Sequence, residues 1–208
     1  MRSKFILAFL ILCIAEAARA ETLSWARWAR THPLSPGAIA LLATAAERSS
    51  IVANLLEDIE QTDLVVYVSD SMPGFSAGPK SHMVFLSRDA AARYLLVRVD
   101  SRRLSPSEGI VALGHELHHA LEVAAAPEVM DAAGMEQLYR RIGWESGSGR
   151  FETGGAKDTS QHVWKQLIQR DKLERRARAI AKAGTSGPPL FLGSTPSAPP
   201  ETRPVPAS

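Results

Sequence analysis

Two histidines spaced one helical turn apart constrain this chain more than any other feature of its sequence. His115, Glu116 and His119 stand in the segment Gly114–Glu122, and residues four apart lie on the same face of an α-helix. If this segment is helical, the two imidazoles can bind one metal ion. Glu116 falls on a neighbouring face, where its carboxylate can take a proton from a water molecule whose pKa a zinc ion has lowered.

Capping signals and hydrophobic spacing both predict that helix. Ser105-Pro106-Ser107-Glu108 is a capping box with proline at the first helical position, and Pro127 stops the helix near Ala126. The spacing of the apolar residues places a core stripe opposite the two histidines. That stripe consists of Ile110, Leu113, Leu117, Leu121 and Ala124. We therefore expect a core on one side of the helix and a cleft at the histidines.

Residues 1–20 have the pattern of an export signal. Arg2 and Lys4 precede an apolar run over residues 5–15, and Ala18-Arg19-Ala20 has small residues at the two positions that a signal peptidase inspects. A run of about eleven residues is much shorter than the roughly twenty needed to span a bilayer. We expect cleavage after Ala20, no stable membrane insertion afterwards, and a periplasmic or extracellular product.

Charge, cysteine content and composition narrow the class of protein further. The export signal carries three cations and one anion, which accounts for the whole net charge of +2, so the mature chain is formally neutral and no nucleic-acid partner is expected. The only cysteine, Cys13, lies in the signal, which excludes a disulfide in the mature chain. Residues 21–183 are long enough for one domain. Residues 184–208, rich in Pro, Ser and small residues, predict a disordered tail.

The segment before the capping box predicts helix followed by strands. A long amphipathic helix begins at Ser35-Pro36, has a break near Ser49-Ser50 and ends near Glu60. Three β-type runs follow, and the short turn between the last two predicts a hairpin. The runs are Leu64–Val68, His82–Leu86 and Tyr94–Val99. The third run alternates between buried and wet positions, so it is either a wall along which an extended peptide pairs or an ordinary half-buried strand.

Two helices are predicted after the capped helix. The first runs from Ala132 to Arg141 and ends at Gly143. The second runs to about Ala183 and carries a charged face that we expect to be solvated. The predicted fold class is therefore α+β, with a long N-terminal helix, a three-stranded sheet that includes a hairpin, a central metal-binding helix and C-terminal helices.

The segment Ala112–Leu121 resembles the active-site helix of the zincin metallopeptidases. The order of a helix, strands ending in a hairpin and then this helix is also that of a minimal zincin-like domain. The resemblance implies a zinc-dependent peptidase, a hydrolase of peptide or protein substrates, with His115 and His119 as zinc ligands and Glu116 as general base. His118 departs from the pattern, because an apolar residue is more usual there.

The third zinc ligand is left open, because catalytic zinc normally has three protein ligands and a water. Glu122 and Ala125 stand where a metzincin has its glycine and third histidine, so a later carboxylate is expected, as in gluzincins. Glu122 lies on the histidine face, but about 10 Å along the helix axis from His115, a distance that suits a hydrogen-bond acceptor better than a ligand.

Glu152 is our first choice for the third ligand and Glu145 the second. Glu152 follows the glycine-rich segment 147–149, and we expect it to open the final helix, where an ordinary role beside the helix dipole is the alternative. Phe151-Glu152-Thr153 also resembles a segment of small exported bacterial proteins that contain H-E-x-x-H.

Tyr139 and His162 are candidates for stabilising an oxyanion, with packing and surface roles as the alternatives. Two other classes of function are open at this point. In one, the histidines hold a structural ion in closed four-ligand coordination, and the domain is a binding module without catalysis. In the other, the protein is a helical interaction module in which His118 and His119 are incidental.

Overall fold

The structure, a computed structural model, describes residues 28–72, 78–147 and 150–184. The predicted export signal, and residues 185–208 of the predicted tail, lie outside the described residues. The chain divides into two compact units, Met1–Asp171 and Lys172–Ser208, and all the residues of the site described below belong to the first.

Helices and strands occur in short runs in a mixed α+β arrangement, which confirms the predicted fold class. The helices are α1 (Pro36–Arg48), α2 (Ser50–Ile59), α3 (Pro106–Ala124), α4 (Ala132–Ile142) and α5 (Gly154–Gly184). The strands are β1 (Thr31–Pro33), β2 (Leu64–Ser69), β3 (Ser81–Arg88), β4 (Arg93–Val99), β5 (Trp144–Gly147) and β6 (Arg150–Glu152). A single turn of 3₁₀ helix, Ser101–Arg103, lies between β4 and α3.

The main sheet has four strands in the order β1-β2-β4-β3, with β3 antiparallel at one edge. The hairpin of β3 and β4 is confirmed. The sequence predicts only three strands because β1 is a three-residue strand, Thr31-His32-Pro33, too short to show alternation. The third predicted run, now β4, is paired on both sides, so it cannot pair with an extended peptide, and that interpretation was wrong. The edge strand beside it is β3.

The predicted break in the N-terminal helix is confirmed at Ser49. This residue ends α1 and caps α2, because its hydroxyl accepts a hydrogen bond from the Val52 N–H at 3.3 Å. The two helices meet at an angle of 116°. No single helix among the described residues is long and apolar enough to cross a membrane, although α1 and α2 counted together meet that test of length and composition.

Helix α3 starts at the capping box that the sequence predicts. The Ser105 hydroxyl accepts from the Glu108 N–H, and the Glu108 carboxylate accepts from the Ser105 N–H. Three members of the predicted core stripe, Ile110, Leu113 and Leu117, are fully buried. Leu121 and Ala124 are only partly buried, and Ala120 and Val123 are buried instead. The buried face of α3 is therefore rotated slightly from the predicted one.

The last part of the first unit carries a correction to the predicted position of Glu152. Helix α4 ends at Gly143 as predicted, and a short antiparallel hairpin of β5 and β6 follows. Glu152 is the last residue of β6 and does not open the final helix, which begins at Gly154. The hydroxyl of Thr153 accepts from the Ala156 N–H at 3.1 Å and so caps α5, because threonine is a good N-cap residue.

Candidate metal centre

Three side chains from two distant segments converge and form a group that could hold a metal ion. One nitrogen of His115, one of His119 and one carboxylate oxygen of Glu152 all lie within 4.8 Å of one another. The two Nε2 atoms are 3.1 Å apart. Glu152 Oε1 lies 2.9 Å from His115 Nε2 and 3.9 Å from His119 Nε2. Glu152, our first choice for a third ligand, thus lies beside the two histidines.

The ring of His115 is oriented by Ser160 on α5. Ser160 Oγ donates to the Ala156 carbonyl at 3.0 Å and lies 2.9 Å from His115 Nδ1. Because the hydroxyl proton is committed to that carbonyl, the hydroxyl oxygen accepts the proton of His115 Nδ1. The lone pair of His115 is therefore on Nε2, the atom that faces Glu152.

The ring of His119 is oriented by Glu122, one turn further along α3. Glu122 Oε2 lies 2.7 Å from His119 Nδ1, and an ionised carboxylate can only accept. Burial lowers the pKa of His119, but the bond to Glu122 and the surrounding carboxylates outweigh it, so the pKa is raised. The predicted role of Glu122 as a hydrogen-bond acceptor for a ligand agrees with this geometry, since it approaches the ring at the nitrogen away from Glu152.

Glu116 is buried in the wall of the same site, with 5% of its surface exposed. Burial raises the pKa of its carboxyl to about 7, against the opposing effects of His119 and of a hydrogen bond with Ser81. Ser81 is the first residue of edge strand β3. The carboxyl group is therefore held between α3 and the edge of the sheet, next to both histidines.

Of the remaining predicted candidates, Glu145 and His162 lie away from the group of three, and Tyr139 packs against the His119 ring. Glu145 is exposed on β5 and is not part of the group of three. His162 is exposed on α5 and is not among the residues that line the cleft described below. Tyr139 is buried, and its hydroxyl donates to the His119 carbonyl at 2.9 Å. Its proton is engaged in this bond, which attaches Tyr139 to α3 at His119.

His118, the residue that departs from the zincin pattern, packs against the start of α5. Its Nδ1 lies 3.0 Å from Thr159 Oγ1, and its Nε2 lies 3.6 Å from Glu122 Oε1. A Cβ atom at Gly155 would come within 2.3 Å of His118 Nε2. A polar residue is therefore accommodated here because α5 brings a hydroxyl to it and passes close by at a glycine.

A cleft of about 890 Å³ opens over the group of three. His115, Glu116, His119 and Glu152 lie in its wall, and the first residues of β3 form one side. The rest of the lining combines apolar residues with two cations and a serine: Met72, Gly78, Pro79, Lys80, Met135, Tyr139, Ser146, Arg150 and Phe151. A volume of this size with convergent polar groups is typical of a site for a ligand.

The donor set fits a metal ion. Two imidazole nitrogens and one carboxylate oxygen form a ligand set that zinc accepts, and tetrahedral ligands about 2.0–2.1 Å from zinc lie about 3.4 Å apart. The separations of 2.9, 3.1 and 3.9 Å fall on both sides of that value.

Comparison of the chain with protein-family models, with curated proteins and with solved structures found no match.

Several residues that support the site have only weak signals in the sequence. Thr153 has one, since a threonine before a helical segment is an N-cap signal. Ser160 and Ser81 have none, because their roles depend on the packing of α5 and β3 against α3. The methionines of the cleft come from three separate segments, so no local pattern could have grouped them.

Proposed function

We propose that this protein is a zinc-dependent peptidase of the zincin type. One observation supports this more than any other: His115, His119 and Glu152 converge in the wall of a cleft, beside the buried carboxyl of Glu116. Zinc suits the two imidazoles and one carboxylate, and when bound it polarises a carbonyl and makes a water molecule more acidic. The H-E-x-x-H resemblance points the same way.

The protein's own groups supply the proton transfer in this proposal. Glu116 takes a proton from the attacking water at its carboxylate and passes it to the nitrogen of the leaving amine. The burial of Glu116 keeps bulk water from competing for that proton, and the hydrogen bond with Ser81 fixes the carboxylate. Ser160 and Glu122 hold the two imidazoles so that both Nε2 atoms face the cleft.

A peptide is favoured as substrate because the cleft includes a free strand edge. The Asp100 N–H donates to the Lys80 carbonyl at 2.8 Å, which makes this a hydrogen-bonded pair of the β3–β4 ladder. Such pairs alternate along an antiparallel ladder, so the backbone groups of Ser81 and Met83 point away from β4. That outer edge carries no strand among the described residues. An extended peptide can pair there, next to Glu116.

Conversion of Glu116 to Gln tests the proposed chemistry. We expect Glu116→Gln to bind zinc in a 1:1 ratio, as the wild type does, and to lose peptide hydrolysis, because the amide cannot accept the proton. Glu136→Gln, at an exposed carboxylate on α4, is the matched control and should keep full activity. Hydrolysis of a peptide library by the zinc-loaded wild type, followed by mass spectrometry, is the measurement. Undiminished hydrolysis by Glu116→Gln would refute the role.

Conversion of Met83 to Pro tests the peptide-pairing edge. Proline removes the outward N–H without removing a bond to β4, so kcat/KM should fall about tenfold relative to Met83→Ala, which loses only the side chain. Zinc affinity should be equal in the two variants. Equal kcat/KM in the two variants would show that substrate does not pair with β3.

The non-catalytic alternative has a specific difficulty. Closed four-ligand coordination would need a further protein ligand, and Glu122 reaches His119 at Nδ1, away from the convergent Nε2 atoms. The group has three members among the described residues, which leaves room for water and substrate. Export stays part of the proposal from the signal pattern alone, and N-terminal sequencing of protein recovered from the periplasm or medium would test it.

A further inference from the structure

The carboxylate of Glu122 is hydrogen-bonded to both segments that form the candidate metal centre, α3 and the end of β6. Glu122 Oε2 lies 2.7 Å from His119 Nδ1 on α3. Its other oxygen, Oε1, accepts from Thr153 Oγ1 at 2.6 Å. Thr153 directly follows Glu152, the ligand that comes from β6. Glu122 is therefore bonded on one side to a ligand and on the other to the neighbour of a ligand.

The Thr153 hydroxyl is fixed in this position from two directions. Its proton goes to Glu122, and its oxygen accepts the Ala156 N–H at 3.1 Å at the start of α5. Only 2% of the Thr153 surface is exposed, so water cannot readily replace either bond. Because Thr153 caps α5 and follows β6, its position determines where the strand ends and where the Glu152 side chain leaves the backbone.

We propose that Glu122 is a positioning residue that couples the two ligand segments, so that zinc affinity depends on the Glu122–Thr153 bond as well as on the Glu122–His119 bond. The inference rests on the proposed function, because it requires that zinc binds to His115, His119 and Glu152. Glu122 contacts neither Glu152 nor the point between the two Nε2 atoms. Its influence on Glu152 passes through Thr153.

A carboxylate suits both tasks at this position. Two proton donors, His119 Nδ1 and Thr153 Oγ1, face it, and an ionised carboxylate accepts from both at once. Glutamine has one carbonyl oxygen and one NH₂ group, so one of the two donors would face another donor. Hydrogen bonds to metal-binding imidazoles typically change metal affinity 10–100-fold when they are removed.

A double-mutant cycle on zinc affinity tests the coupling. The variants are Glu122→Gln, Thr153→Val and the double variant, each measured by competition with a chromophoric zinc chelator after circular dichroism has shown a native spectrum. We expect each single variant to weaken zinc binding 10–100-fold. The zinc affinity of the double variant should be no lower than that of the single variant with the lower affinity, because both changes break the same hydrogen bond.

Two further variants separate coupling from capping. Thr153→Ser keeps the hydroxyl and should bind zinc within about threefold of the wild type. Asp131→Ala removes the side chain that accepts from Gly134 N–H at the start of α4, a loss of similar cost to the fold but away from the ligands, and it should leave zinc affinity unchanged. If Thr153→Val does not fold, Thr153→Asp keeps a cap acceptor without a proton to donate, and it should weaken zinc binding as Glu122→Gln does.

The possible outcomes distinguish this inference from the proposed function. A wild type that binds no zinc would overturn both. A wild type that binds zinc, with Thr153→Val or Thr153→Asp of wild-type affinity, would overturn the coupling alone and leave Glu122 acting only on His119. Independent effects of the two single changes, multiplying in the double variant, would overturn the coupling in the same way.

Discussion

A buried arginine binds the C-terminal end of α3, and replacement of this arginine should destabilise the whole domain. Arg93, the first residue of β4, has 4% of its surface exposed. Its guanidinium donates to the carbonyls of Val123 and Ala126, each at 2.8 Å. It also donates to both carboxylate oxygens of Asp63, at 2.8 and 2.7 Å. These contacts attach the C-terminal end of α3 to strand β4, about one helical turn beyond His119.

The expected cost of Arg93→Met follows from what the substitution leaves behind. The carbonyls of Val123 and Ala126 each lose a bond from a charged donor, worth about 1.5–3 kcal/mol, although each still accepts one backbone N–H, from Ala126 and Val129 respectively. Asp63 also loses its partner, but its side chain is 48% exposed, so screening by water limits this part of the loss. We therefore expect the free energy of unfolding to fall by about 3–5 kcal/mol, measured by urea denaturation of the zinc-free protein at pH 7 and followed by circular dichroism.

Asp63→Asn is the matched comparison, because it removes the carboxylate and leaves the arginine on its carbonyls. The Asp63 side chain is 48% exposed, so the pair is partly screened and the expected loss is only about 1–2 kcal/mol. The hydrogen bonds from Arg93 hold the pKa of Asp63 below its ordinary value of 3.8. The stabilisation is therefore complete above that value and is lost as the pH falls through the lower folded pKa.

Two results would refute this account of Arg93. One is an Arg93→Met variant that loses less stability than Asp63→Asn, since the carbonyl contacts would then contribute little. The other is an Asp63→Asn variant whose stability falls with acid below pH 4 as steeply as that of the wild type, since the pair would then not be linked to the titration of Asp63.

Three further results are expected. Gly143→Ala would place a Cβ atom 2.1 Å from the Glu152 carbonyl oxygen, so β6 must shift, and zinc affinity measured by chelator competition should fall more than tenfold; wild-type affinity would contradict the position of β6. Removal of zinc from a sample in which free zinc is at 100 times its Kd should lower the free energy of unfolding by about 2.7 kcal/mol and Tm by about 5–10 °C in a thermal scan. An unchanged Tm would argue against binding of zinc to the folded state. Glu145→Ala should keep the zinc affinity of the wild type, because Glu145 is not part of the group of three; loss of metal would make it the third ligand in place of Glu152.

The features of the fold that the sequence predicts are those set within one or two helical turns. The capping box at Ser105, the break at Ser49 and the end of α4 at Gly143 all depend on side chains next to the backbone groups that they satisfy. The placement of His115 and His119 on one face also follows from helical geometry alone. Local hydrogen bonding and periodicity determine each of these features, so no tertiary contact is needed to predict them.

The features that the sequence does not predict are set by contacts between distant segments. Strand β1 exists because residues 31–33 pair with β2, and three residues carry no alternation. The rotation of the buried face of α3 reflects packing against α2 and α5, where Val52 and Val163 both approach Gly114. Arg93 has no local signal either, because the carbonyls that it binds lie about thirty residues further along the chain.

Glu152 lies beside the two histidines, although the sequence assigns it to the wrong element. A glutamate at the start of α5 would point along the helix axis toward solvent or toward the first-turn N–H groups. As the last residue of β6, Glu152 instead leaves an extended backbone just before the cap at Thr153, and its carboxylate reaches His115 Nε2 at 2.9 Å. The strand therefore brings the Glu152 carboxylate to the histidines, and the cap on α5 fixes where that strand stops. The proposed coupling therefore depends on the bond between Glu122 and Thr153 rather than on the helix dipole.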